Sequence, residues 1–174
     1  GGTEGPPAQP VTMQVTGRGA IASRYSAEVW VHGNHAYTST WGIRGNPGVS
    51  GNAVFVWDVR GTPQLVDSVI VPPVAVVDGM NAVRTVGDVQ VSDDGALLVF
   101  PTELAPGSVE VYSLADPARP RRVARFTSPN ISRGVHTCEL HRVNGRLYAF
   151  LSVNSSSTHP SRLMIVDLRS EERR

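Results

Sequence analysis

The chain has 174 residues and a formal net charge of +1, with 15 acidic residues balanced by 16 basic ones that are all arginine. That balance leaves no strong field to draw nucleic acid or anionic lipid. The single cysteine, Cys138, excludes an internal disulfide, and no apolar run approaches the ~20 residues of a membrane helix.

Residues 1–10, rich in glycine and proline, read as a flexible leader of an exported protein. Residues 11–16 follow as a candidate outer strand, because Pro7 to Thr16 has the same pattern as Pro117 to Phe126. A first unit spans about 22–71. Its alternating strand Ala27–Val31 is followed by a Gly33-Asn34 turn and a second strand at 36–40. A third strand at 54–59 and a fourth at 64–71 follow, the last introduced by Pro63. A second unit, about 85–127, repeats this order with 87–91, the turn Asp93-Asp94-Gly95, 97–100, 109–114 and 121–126. A third, about 135–170, has 136–140, Asn144-Gly145, 147–151 and 163–168, then a tail at 171–174. Asn-Gly and Asp-Gly favour tight hairpins because these residues tolerate positive φ.

The third strands are one motif written three times: Val54-Phe55-Val56-Trp57-Asp58-Val59, Val109-Glu110-Val111-Tyr112-Ser113-Leu114 and Leu163-Met164-Ile165-Val166-Asp167-Leu168. A period of ~54 residues with four strands per unit predicts an all-β fold of antiparallel, four-stranded, propeller-like blades. Three blades fall below the ~4–8 of a closed ring, so the expectation is an open or incomplete propeller with an uncovered flank that recruits a partner. These repeats resemble the LVIVD-repeat family of bacterial extracytoplasmic β-propellers. The resemblance is carried by Glu28 to Tyr37, Leu163 to Leu168 and Asp116 to Pro120. It implies a periplasmic setting and about half of a usual member.

Several residue sets bear on chemistry. His32 and His35 flank a turn, His136 opens the third unit's first strand, and Asp88 opens the second unit's. These four are candidate metal ligands at inner strands, although two of them lie at a hairpin rim and no convergent set stands out. His136 and Cys138, two apart on a strand, share a face and raise the option of a thiol nucleophile, with no third orienting group. Arg119, Arg121, Arg122 and Arg125 line a fourth strand as candidate partner contacts. Trp41 and Arg44, beside a glycine-rich loop at 42–51, are further candidates.

No catalytic set, cofactor motif or metal constellation is assigned. The expected function is a non-enzymatic interaction or scaffold module, an extracytoplasmic accessory subunit on a larger, membrane-bound assembly. Its partners would be other protein chains. The alternative is a metal- or small-ligand-binding propeller, including a metalloenzyme, built on the inner-strand His and Asp residues.

Overall fold

Runs of valine and aromatic residues broken by Gly, Asn, Asp and Pro make strands, since branched and aromatic side chains fit a pleated surface and the breakers fit turns. The structure, a computed structural model, describes residues 9–42, 49–73, 76–77, 80–81, 83, 85–104, 106–155 and 160–169. Among these residues there are thirteen strands, one short 3₁₀ turn at Pro129–Ile131 and no α-helix. Among the described residues no helix is long and apolar enough to cross a membrane.

The first sheet takes β1 (Tyr25–His32), β2 (His35–Trp41), β3 (Ala53–Asp58) and β4 (Gln64–Ile70) in that spatial order. A short hairpin follows between the first and second units, β5 (Val76–Val77) with β6 (Met80–Asn81). The second sheet has β7 (Gln90–Val91), β8 (Leu97–Thr102), β9 (Ser108–Ser113) and β10 (Arg121–Phe126). The third has β11 (Val135–Val143), β12 (Arg146–Val153) and β13 (Arg162–Asp167). Every pairing within the sheets is antiparallel. The fold is therefore all-β with propeller-like units, none closed into a ring. Residues 11–16, expected as an outer strand, carry no strand and are fully exposed.

Local chemistry fixes the repeat. Asn144 and Gly145 both take positive φ, 52° and 79°, as the tightest twisted hairpin turn demands. The recurring third-strand Asp or Ser closes a turn. Asp58 Oδ1 accepts from Arg60 N at 3.0 Å, and Ser113 Oγ accepts from Ala115 N at 3.2 Å. The outer strands also match. Both β4 and β10 are bulged at the same place, with Val66 and Val123 as the extra residues opposite Val56–Trp57 and Val111–Tyr112.

Each sheet has a forward face toward the next sheet and a rear face toward the previous one. The pairings Tyr37↔Val56, Val99↔Val111 and Phe150↔Ile165 are equivalent and define the forward faces. Ala36↔Trp57, Leu98↔Tyr112 and Ala149↔Val166 define the rear faces. The core follows from stacking them. Tyr37, Val54 and Val56 pack with Leu98, Phe100 and Tyr112 between sheets one and two. Val99, Val109 and Val111 pack with Ala149, Leu151 and Cys138 between sheets two and three.

Tyr37 sits at the first of these junctions. Its side chain is fully buried, and its hydroxyl donates to Pro117 O at 2.9 Å, joining sheet one to the β9–β10 connection. Burial, aided by the charge of Asp116, raises its pKa to about 12. The unfolded phenol ionises near 10, so between pH 10 and about 12 the folded state holds a proton that the unfolded state has released, and stability falls as pH rises. Chemical denaturation across that range should show the fall. Tyr37→Phe should reduce it without abolishing it, since burial also raises Tyr112.

Candidate interaction surface

The inner-strand polar residues hold the second and third sheets together. Asp88 accepts from Val89 N at 2.7 Å and from Cys138 N at 2.8 Å. Gln90 accepts from Leu140 N at 2.9 Å and donates to Glu139 Oε2 at 2.8 Å. Arg142 reaches back to Asp93 at 2.8 Å and Asp94 at 2.5 Å. His136 meets Glu103 at 3.0 Å. Burial raises the Asp88 pKa, Glu28 and Glu139 add to it, and the two backbone donors oppose it. These contacts give Asp88 and His136 protein partners across the junction.

The metal candidates do not converge. His32 packs its ring against the turn at Gly95 and is paired across its hairpin with His35, with no third ligand-type group placed beside the two among the described residues. Among the described residues no group of three or more His, Cys, Asp or Glu side chains is placed to hold a metal ion. His136 and Cys138 do not share a face. A register shift between Val135 and Thr137 inserts His136 as an extra residue, which leaves it exposed while Cys138 is buried. Burial, then the charges of Asp88 and Glu139, push the Cys138 thiol well above its ordinary range, the opposite of what a nucleophile needs.

The basic edge divides in two. Arg121 and Arg122 are exposed on β10, where charge discourages edge-to-edge pairing, while Arg119, expected on the same strand, is exposed in the turn before it. Arg125 is different: its Nε donates to Glu110 at 2.6 Å, and its Nη atoms reach Pro72 O at 2.8 Å and Pro73 O at 3.2 Å. Glu110 is wholly buried and also accepts from Ser108 Oγ at 2.7 Å. Arg125 is thus a strut of the fold and no longer a partner-contact candidate. Trp41, at the end of β2, is about half exposed, and Arg44 lies outside the described residues.

The exposed apolar residues fall elsewhere, on the two end faces of the stack. On the forward face of sheet three, Leu163 is 68% and Ile165 57% exposed, beside the partly exposed Phe150. Their equivalents Val54, Val56, Val109 and Val111 are all buried. On the rear face of sheet one, Val29, Val31 and Leu65 are exposed around a covered centre. Ile21 packs there against Ala36, Phe55 and Trp57. The chain before it lies flat on the indole, for a Cβ at Gly19 would fall 2.5 Å from Trp57 Cζ3. A cavity of about 180 Å³ remains beneath this cover, with Arg24, Thr38 and Pro63 in its wall. Sequence reasoning missed these faces, although the three-fold motif already set Leu163 and Ile165 in register with buried valines.

No protein-family profile matches the chain, and no curated protein sequence matches it.

Removing one partner of a buried pair leaves the other charge without compensation, a loss of ~3 kcal/mol or more. Arg125→Ala should lower stability by that order in urea titrations. Arg121→Ala, on the same strand but exposed, should stay within about 0.5 kcal/mol.

Proposed function

We propose that this chain is a non-enzymatic protein-interaction module, a propeller-type scaffold whose docking surface is the forward face of sheet three and the edge of β13. The observation that carries this reading is the exposure of Leu163 and Ile165 at positions whose counterparts are buried in both preceding sheets. Contiguous apolar surface of this kind marks a contact site. Its partner on this reading is another protein chain that presents a second sheet face. Support also comes from Asp88 and His136, each of which makes a hydrogen bond that joins the second and third sheets.

The resemblance to LVIVD-repeat propellers favours an extracytoplasmic accessory subunit within a larger, membrane-bound assembly. On that view the rigid stack presents an end face and a strand edge to its neighbour, and the arginines of β10 keep the edge of sheet two from pairing indiscriminately.

The paired substitution Leu163→Asp with Ile165→Asp tests the reading. In native detergent extracts the wild-type chain should elute within an assembly larger than its own 18.6 kDa. The doubly substituted chain, with an unchanged β-sheet circular dichroism spectrum, should elute at the monomer position. An unaltered elution profile would contradict the assignment.

A further inference from the structure

Residues 9–21 repeat the β10 segment beyond the strand itself. Pro10 corresponds to Pro120, residues 11–16 correspond to β10 at 121–126, and Ile21 follows residue 16 at the same distance as Ile131 follows Phe126. The structure gives the two isoleucines the same job. Ile131 packs with Ala149 and Leu151 on the rear of sheet three, and Ile21 packs with Ala36 and Phe55 on the rear of sheet one. In the first case the strand before the isoleucine, β10, is the fourth strand of the preceding sheet. In the second the connector is seated, but residues 11–16 pair with no strand among the described residues. Val11, Met13 and Val15 stand exposed along it, at 82%, 95% and 87%.

Sheet three supplies the matching deficit. Among the described residues it has three strands, β13 is an edge, and its forward face is open. Asp167 Oδ1, on that side of β13, is buried with no hydrogen-bond partner among the described residues. The segment cannot reach this edge within one molecule. Its connector is fixed on the rear of sheet one, and sheet two stands between sheets one and three.

We propose that the occupant is a second copy of this chain. Residues 11–16 of each copy add to β13 of the other as the fourth strand, and the rear face of each sheet one packs on the other's sheet three. Two copies of three sheets then close a six-sheet ring with two identical junctions about a two-fold axis, within the ~4–8 sheets of closed propellers. The register follows from β10, where Arg121, Ala124 and Phe126 face Ser113, Val111 and Val109. It places Val11, Gln14 and Thr16 opposite Asp167, Ile165 and Leu163 of the other copy. This inference rests on the docking surface proposed above and names what fills it.

The test pairs Gln14→Cys with Ile165→Cys in the purified full chain, with Val15→Cys plus Ile165→Cys as an out-of-register control. Light scattering of the wild-type chain should give about twice 18.6 kDa. Mild oxidation should convert the in-register variant to a covalent dimer on a non-reducing gel and leave the control largely uncrosslinked. A wild-type monomer at tens of micromolar, or a crosslink that closes within one chain, overturns the second-copy proposal. If the wild type is monomeric when pure but Leu163→Asp/Ile165→Asp still frees it from an assembly in extracts, the docking surface stands and only its occupant is wrong.

Discussion

A β-sheet with apolar side chains on both faces cannot be left bare on either one, and that constraint governs this molecule. Alternation puts Tyr37, Val54 and Val56 on one side of the first sheet and Ala36, Phe55 and Trp57 on the other. Stacking forward face on rear face satisfies sheets one to three internally and hands the same demand to each end. The rear of sheet one is met by a strip of chain flat enough to rest on an indole. The forward face of sheet three is met by nothing within the described chain. Burial of apolar area contributes roughly 25 cal/mol per Å², so a face of this kind is a substantial reserve of association energy.

The polar groups at the inner strands follow from the same arrangement. Where β7 and β11 approach, backbone N–H groups of Cys138 and Leu140 would be left without ladder partners, and the side chains of Asp88 and Gln90 supply them. Glu110 occupies the position held by Phe55 and Met164 in the sister strands, where Arg125 compensates its charge and, with Ser108, donates to Oε1, while Oε2 has no hydrogen-bond partner among the described residues. Residues that look chemical in the sequence thus serve as fasteners between sheets.

Much of this was legible in the sequence. The three copies of the third-strand motif, the Gly33-Asn34, Asp93-Asp94-Gly95 and Asn144-Gly145 turns and the proline before β4 and β10 located ten of the eleven sheet strands closely, because each rests on local backbone chemistry. β7 is shorter than the span 87–91 that its alternating pattern suggested, for only Gln90 and Val91 pair with β8. The β5–β6 hairpin was overlooked although Asp78-Gly79 separates its strands. The bulge at His136 has no sequence signature and reversed an argument built on strict alternation. The role of Arg125 was hidden because its partners, Glu110 and residues 72–73, come together only when sheets stack. The candidate surface was half visible: an uncovered flank followed from the repeat count, but its residues needed the register that aligns Leu163 and Ile165 with buried valines.

The central claim is that β13 and its forward face are covered when the protein assembles. Amide hydrogen exchange followed as a function of protein concentration tests it directly. Protection should rise together over residues 11–16 and 162–167 as the concentration increases, while β8 and β9, already inside the stack, stay slow throughout. Exchange at those two segments that remains fast and independent of concentration would contradict the account.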